Sequence, residues 1–235
     1  MYQSQLENEN SATQLSFWKD KRNLLFLSAV LALTFIVYLP CLQYGFVNWD
    51  DTVNIYKNPD IINISDWGSF FVSVKNIFSI HLYGNFNPLT ITTFAFEKLI
   101  FGLENPAWWH LNNVILHLVC VVLVFRITLA MGLELIPAAF CALLFGIQPM
   151  RVESVVWVSE RKDVLYGAFY LCALYYYIKS VKLSFQKRYL MVIVPCFILA
   201  LLSKIQAVTL PVSMLLVDYY FDRKLSLKLI YEKWL

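Results

Sequence analysis

The chain has 235 residues, of which 59% are hydrophobic and only 15% are charged, with a formal net charge of +3. An ordinary soluble domain carries about 25% charged residues. This composition excludes a typical soluble domain and predicts an integral membrane protein, for which we expect membrane lipid and no nucleic acid as a partner. The five cysteines show neither a disulfide framework nor metal-binding spacing.

Long apolar runs predict the membrane spans. Runs without any charged residue extend over 24–47, 106–125, 135–150 and 164–178. A further run, 189–221, is interrupted by Lys204 and Asp218. As one helix it would be roughly 50 Å long, against a bilayer core of about 30 Å, so we interpret it as two short spans that meet near Lys204. The sequence therefore predicts an all-α, polytopic membrane protein with six transmembrane helices.

The first run could instead be a cleaved signal peptide. Its apolar core exceeds the usual length of about 7 to 15 residues, and no small-residue cleavage site follows it. We therefore expect a retained helix.

Basic residues orient the spans, because short cytoplasmic loops accumulate Lys and Arg. They precede the first span and recur in 179–188 and after Phe221. We therefore expect segments 1–23 and 222–235 to be cytoplasmic, on either side of a transmembrane module over 24–221. The outer face then holds the loop of about 48–105, the segment 151–163 and the tip around Lys204.

Two helices are predicted within the outer loop. In the first, Ser65 is the N-cap and apolar residues follow at helical spacing, which indicates an amphipathic helix lying on the membrane. The second begins at Asn87 and Pro88 and ends at Gly102. Its polar residues form a narrow stripe of Thr90, Thr93 and Glu97. Most of its surface therefore needs cover from lipid or protein.

The pair Asp50 and Asp51 in "FVNWDD" follows the first span directly. Two adjacent carboxylates near low-dielectric lipid are expected to share protons, which would raise the pKa of at least one. A carboxylate tuned in this way could act as a base toward a hydroxyl. The alternative is that both are solvated residues that mark the end of a span.

Two further segments carry cations toward the same face. In "RVESVVWVSERKD", residues 151–163, Arg161 and Lys162 could hold phosphate oxygens, or the segment could be a solvated interfacial helix with local ion pairs. Lys204 interrupts an apolar stretch, where it could snorkel toward water or meet an anion such as a lipid-linked phosphate.

His110 and His117 lie seven residues apart in the second span. No carboxylate or cysteine completes a metal-ligand set around them. We expect both to be hydrogen-bonded intramembrane residues.

Several segments together carry a resemblance to a known family. These are "FVNWDD", "NFNPLT" (85–90), "FGLENPAWWHLNNVILH" (101–117), "QPMRVESVVWVSERKDVL" (148–165) and "LSKIQAVTLPVSMLLVDYY" (202–220). Their order and spacing resemble those of bacterial relatives of the transmembrane and tetratricopeptide-repeat O-mannosyltransferase family, over residues 24–221.

The resemblance implies a polytopic class C glycosyltransferase (GT-C) that uses a polyprenyl-phosphate sugar donor. Asp50 would be the catalytic base, and Asp51 would orient the acceptor or an optional divalent cation. Arg161, Lys162 and Lys204 would stabilise the donor phosphate, and the reaction would invert the anomeric carbon. Supporting positions would be Glu153, Asp163, Asn87 and Gln206. The acceptor would be a protein or glycan on the periplasmic face of a bacterial inner membrane.

The sequence departs from the family pattern at three positions. Asn87 stands where relatives carry His or Arg, Gln148 where they carry His, and Ile205 where they often carry Glu or Pro. The family also has further spans and usually repeats beyond the point where this chain stops, so we expect a fragment, a truncated gene product or one part of a split enzyme. A non-catalytic scaffold or accessory subunit is therefore an alternative to an enzyme, and a small transporter is a third.

Overall fold

The computed structural model describes residues 20–79, 86–183 and 186–223, and over these residues every regular element is helical. The helices are α1 (Lys21–Tyr38), α2 (Pro59–Ile62), α3 (Trp67–Ser79), α4 (Pro88–Phe101), α5 (Ala107–Ala130), α6 (Leu135–Ile147), α7 (Val152–Val156), α8 (Arg161–Lys182), α9 (Leu190–Ser203) and α10 (Leu210–Tyr220). Short 3₁₀ turns cover Leu39–Gln43, Pro149–Arg151, Val158–Glu160, Lys187–Tyr189 and Ile205–Thr209, and a π-helical turn covers Thr52–Tyr56. Most of the predicted cytoplasmic segments 1–23 and 222–235 lies outside the described residues.

Three segments of the described chain are long and apolar enough to cross a membrane. They are Lys21–Gln43, Ala107–Ala130 and Val158–Lys182. Leu135–Ile147 and Pro149–Val156, which meet at an angle of 51°, would make a fourth span if they are counted together. The apolar segments Leu190–Ser203 and Ile205–Tyr220 are shorter. The all-helical class is thus confirmed, whereas the count of six spans remains a prediction.

The central helix of the bundle is α5. It packs against α6 and α8, while α1 packs on α6, and both α9 and α10 pack on α8. Large apolar side chains remain exposed on the outside of the bundle, such as Ile136 at 68% and Met191 at 81%. Exposure on this scale is unfavourable in water and suits contact with lipid.

Helices α1 and α6 approach each other closely at Gly146. A Cβ at this glycine would lie 2.5 Å from Thr34 Oγ1, so no larger residue fits without a shift. The backbone oxygen of Gly146 lies 2.8 Å from His117 Nε2. One small residue therefore joins α1, α5 and α6.

The ends of α3 and α4 were predicted with different success. Helix α4 begins at Pro88 and is followed by Gly102, whose φ of 67° favours glycine, so both predicted ends are confirmed. The prediction that Ser65 caps α3 is wrong, because Asp66 Oδ1 accepts the Ser69 backbone N–H at 2.8 Å. Ser69 Oγ in turn accepts the Asp66 N–H at 3.1 Å. The backbone N–H and the hydroxyl of Ser69 both donate to Asp66 Oδ1, and these two hydrogen bonds lower the pKa of the Asp66 carboxyl.

Helices α2, α3 and α4 form a layer at one end of the bundle. Their apolar side chains share a core with the π-helical turn, with α5 and with the turn before α8. The buried residues of this core are Ile55, Ile61, Ile64, Phe70, Ile77, Phe94, Ala95, Trp109 and Val158. This layer holds the loop that carries Asp50 and Asp51 against the ends of α5 and α8.

Candidate active site where three segments meet

Asp51 is fully buried and accepts three hydrogen bonds. The donors are the backbone N–H of Val47 at 2.8 Å, Trp157 Nε1 at 3.0 Å and the backbone N–H of Ser159 at 2.9 Å. A carboxylate that accepts several N–H groups is well stabilised despite burial. Asp51 therefore fastens the loop that follows α1 to the 151–163 segment. Burial and the Asp51 carboxylate also raise the pKa of the nearby Tyr56 phenol.

Asp50 differs from its neighbour. Its side chain is half-buried, and among the described residues it makes no hydrogen bond or ion pair. The two carboxylates precede a π-helical turn, Thr52–Tyr56, a rare conformation that often occurs at functional sites. One carboxylate is thus committed to the fold and the other is open to a ligand.

The segment 151–163 is not the single interfacial helix that the sequence left open as an alternative. The chain is broken at Trp157, whose ψ of 121° is extended, so that α7 ends before it and α8 begins at Arg161. Buried backbone carbonyls need partners, and α5 supplies them. His110 Nδ1 lies 2.8 Å from the Val156 oxygen, and Asn113 Nδ2 donates to the Trp157 oxygen at 3.1 Å.

Arg161 is 1% exposed, and its guanidinium is surrounded by polar groups of α4 and α5. It forms an ion pair with Glu97 at 2.6 Å, and its Nε donates to Asn113 Oδ1 at 2.7 Å. Further donors reach the Trp109 carbonyl at 2.9 Å and Thr93 Oγ1 at 3.4 Å. Its guanidinium also lies over the Phe94 ring. The polar stripe of α4 is therefore covered by α8, and direct contact of Arg161 with a donor phosphate stays a prediction.

Four charged side chains form a second, half-buried cluster beside α8. Lys162 pairs with Glu160 at 2.7 Å, and Lys204 pairs with Asp163 and lies 4.0 Å from Glu160. Ser154 Oγ donates to the other Asp163 oxygen at 3.0 Å. Lys204 follows the end of α9 with an extended backbone, so the predicted break there is confirmed. The side chain meets protein carboxylates at this break.

The remaining predicted site residues lie around these clusters. Glu153 and Gln206 are exposed and Asn87 is half-buried, and none of them makes a side-chain hydrogen bond within the described part of the chain. Near Asn87, Thr90 Oγ1 donates to the Ser203 carbonyl at 3.2 Å, which joins α4 to α9. The supporting roles of Glu153, Gln206 and Asn87 stay predictions.

The residues around Asp51 do not fit a metal ion. The N–H groups of Val47, Trp157 and Ser159 already occupy its oxygens, and the described residues contain no group of three or more potential side-chain ligands. His110 and His117 contact backbone carbonyls, as expected for hydrogen-bonded intramembrane residues.

The structure thus brings the three predicted outer segments together at one end of the bundle. The loop joins the second segment through Asp51, and the second joins the third through Asp163 and Lys204. Sequence reasoning missed the contact of Asp51 with Trp157 and the pairing of Glu97 with Arg161. For the pairing of Glu97 with Arg161, the sequence offered one signal: most of the surface of the second loop helix, α4, had to be covered by lipid or protein.

Comparisons with curated proteins return protein O-mannosyl-transferases. The chain is 31% identical to Tmtc3 of Drosophila melanogaster over 68% of its own length, and 28% identical to F38B6.6 of Caenorhabditis elegans over 86%. Human TMTC1 is 32% identical over 60% of the chain. The chain is a relative of this O-mannosyl-transferase family. It spans only 20%, 29% and 17% of these three proteins, respectively.

Two other comparisons return nothing. No family model matches the chain, and no solved structure matches it. The relationship to the protein O-mannosyl-transferases therefore stands on the sequence similarity to curated relatives, and together with the candidate spans it indicates a membrane protein.

Proposed function

We propose that the chain carries the reaction centre of a membrane glycosyltransferase. It would move a sugar from a polyprenyl-phosphate donor to an acceptor hydroxyl on the extracytoplasmic face, which in a bacterium is the periplasmic face of the inner membrane. The observation that carries the proposal is the unequal pair of carboxylates, with Asp51 bound into the fold and Asp50 open at the same junction. The names of the relatives make mannose the first sugar to test and a protein hydroxyl the first acceptor.

In the proposed reaction, the Asp50 carboxylate takes the proton of the acceptor hydroxyl. The acceptor oxygen forms a bond to the anomeric carbon of the sugar as the bond from that carbon to the phosphate oxygen breaks. This single displacement inverts the anomeric configuration. The electron pair leaves with the polyprenyl phosphate.

The leaving phosphate needs positive charge close by. Lys162 and Lys204 are half-buried at the same junction, and each is held by a carboxylate that fixes its position. We assign Arg161 a positioning role, because its guanidinium ties α8 to Glu97 and α5. By fixing the start of α8, Arg161 would hold Lys162 and Lys204 in a constant position relative to the loop that carries Asp50.

Sugar transfer by membranes that contain the chain tests the proposal. Labelled mannosyl polyprenyl phosphate is supplied with a peptide rich in Ser and Thr, and product is measured for the wild type and Asp50→Asn. Glu104→Gln is the matched control, since Glu104 is an exposed acid of the same loop. We expect product of inverted configuration from the wild type and the control, and none from Asp50→Asn.

Absence of product from all three, with normal membrane insertion, would contradict the proposal. That result would favour the non-catalytic scaffold or accessory subunit. Equal product from Asp50→Asn and the wild type would leave a transferase but remove Asp50 as its base.

A further inference from the structure

A cavity of about 200 Å³ lies between α5, α6 and α8. Its polar wall includes Arg151, Ser154, Asp163 and the two tyrosines Tyr166 and Tyr170. Its apolar wall is formed by Phe145, Val164 and Leu171. Pockets for drug-sized ligands start at about 300 Å³, so this cavity suits a head group and the first part of a chain rather than a whole lipid.

Arg151 lacks an anionic partner in the described part of the chain. Its guanidinium lies 4.6 Å from the centre of the Phe145 ring, and no described carboxylate comes within ion-pair distance. This separates it from Arg161, Lys162 and Lys204, each of which pairs with a carboxylate. A half-buried cation without a counter-ion loses solvation without compensation, so the site favours an incoming anion.

The carboxylate in the cavity wall does not cancel this charge. Asp163 pairs with Lys204 and accepts a hydrogen bond from Ser154. Its negative charge is therefore already compensated, and among the described residues that line the cavity Arg151 keeps an uncompensated positive charge. The planar guanidinium matches the oxygens of a phosphate with two parallel N–H groups.

The remaining walls define the rest of the ligand. The hydroxyl of Tyr170 is already hydrogen-bonded to Ser213. This leaves the hydroxyl of Tyr166 as a second polar group for contact with an anion bound at Arg151. Phe145, Val164 and Leu171 provide an apolar surface for a hydrocarbon chain. A site whose described residues leave Arg151 as a free cation beside an apolar wall selects an anion that carries a tail.

We propose that this cavity binds the phosphate of a lipid, with Arg151 as its direct ligand. Such a phosphate belongs either to a prenyl phosphate or to a phospholipid head group. If it belongs to a prenyl phosphate, Arg151 is a donor-binding residue that sequence reasoning had not assigned. That part of the inference rests on the proposed function.

Binding of farnesyl phosphate to the full chain in phosphatidylcholine nanodiscs tests the site. We expect Arg151→Gln to weaken binding at least tenfold and Arg151→Lys to weaken it less, because lysine keeps the charge but loses the planar fork. Arg22→Gln is the matched control, since Arg22 is an exposed arginine at the start of α1. Farnesol, which lacks the phosphate, should not compete.

Several results would overturn the proposal. One is equal affinity of Arg151→Gln and the wild type for farnesyl phosphate. Another is competition by farnesol as strong as that by farnesyl phosphate. The third is the absence of farnesyl phosphate binding by the wild type. Nanodiscs with phosphatidylglycerol distinguish the two sources. Competition by this lipid that depends on Arg151 would support the site with a phospholipid head group as its ligand.

The sugar-transfer assay separates this inference from the proposed function. Transfer by Arg151→Gln with an unchanged KM for the donor would overturn the assignment of Arg151 as a donor-binding residue and leave the function standing. Binding that depends on Arg151, without transfer by the wild type, would support the inference and contradict the function.

Discussion

At the residue scale, the two adjacent aspartates have separate environments. Asp51 is held by N–H groups of Val47, Trp157 and Ser159, whereas Asp50 makes no such contact within the described residues. The sequence identified the pair but could not tell which member is bound. The partners Trp157 and Ser159 lie more than 100 positions further along the chain, and no local pattern reports a contact at that distance.

The buried pair of Glu97 and Arg161 should be strongly coupled. Removing one partner of a buried ion pair costs about 3–5 kcal/mol, because the other charge is left buried alone. We expect Glu97→Gln and Arg161→Gln each to lower the free energy of unfolding by about that amount. The double variant should cost clearly less than the sum.

Denaturant unfolding of the purified chain in detergent measures these costs. Lys98→Gln is the control, because Lys98 is the half-buried neighbour of Glu97 and forms no ion pair in the described part of the chain. It should stay within about 0.5 kcal/mol of the wild type. If the double variant loses as much unfolding free energy as the two single variants together, Glu97 and Arg161 do not interact as the structure indicates.

The cap of α3 offers a second test of a single residue. Asp66 makes the capping hydrogen bonds, while Ser65 makes no side-chain hydrogen bond in the described residues. We expect Asp66→Ala to accelerate amide hydrogen exchange in residues 67–71, and Ser65→Ala to leave it unchanged. Faster exchange in Ser65→Ala, without faster exchange in Asp66→Ala, would show that Ser65 caps α3 as the sequence predicted.

At the scale of elements, helix ends with strong local signals could be predicted and breaks without them could not. Pro88 and Gly102 mark the ends of α4, and Gln148 with Pro149 ends α6. The break at Trp157 has no such signal, since "VVWVS" contains neither glycine nor proline. The break exists because His110 and Asn113 of α5 meet the carbonyls that it frees.

The close approach of α1 and α6 predicts a different response from two glycines. Gly146→Ala should destabilise the chain by about 1–3 kcal/mol, as expected for overpacking against Thr34. Gly167→Ala should be neutral or slightly stabilising, since its Cβ would lie at an ordinary 3.5 Å from Cys120 Sγ and alanine favours helix.

Thermal unfolding in detergent compares the two variants. Adding Thr34→Ala to Gly146→Ala should recover much of the lost stability, because it removes the atom that the new Cβ meets. Equal melting temperatures for Gly146→Ala and the wild type would contradict the described packing of α1 and α6.

At the scale of the whole molecule, the hydrophobic runs and the basic segments were enough to predict that three distant segments lie on the same face of the membrane. The structure brings these segments into contact at one end of the bundle through Asp51, Asp163 and Lys204, and their location on the outer face stays a prediction. The number of spans could not be settled in the same way. Helices α9 and α10 are shorter than a full crossing, and their role depends on surrounding lipid and neighbouring protein.

The proposed orientation can be tested on α5, the central helix. Glu104 and Glu134 are exposed residues on either side of it. In a chain whose five cysteines are replaced, we expect a cysteine at 104 to react with a membrane-impermeant maleimide on intact cells. A cysteine at 134 should react only after permeabilisation. Labelling of both positions on intact cells would contradict a crossing by α5.

The central claim is that Asp50 serves catalysis as the base, whereas Asp51 stabilises the fold. The most direct test measures sugar transfer and thermal unfolding on the same preparations of wild type, Asp50→Asn and Asp51→Asn. We predict that Asp50→Asn loses transfer while its melting temperature is unchanged. Asp51→Asn should unfold at a clearly lower temperature, because hydrogen bonds to a charged group contribute about 1.5–3 kcal/mol each. Full transfer by Asp50→Asn, or an unchanged melting temperature for Asp51→Asn, would contradict the account.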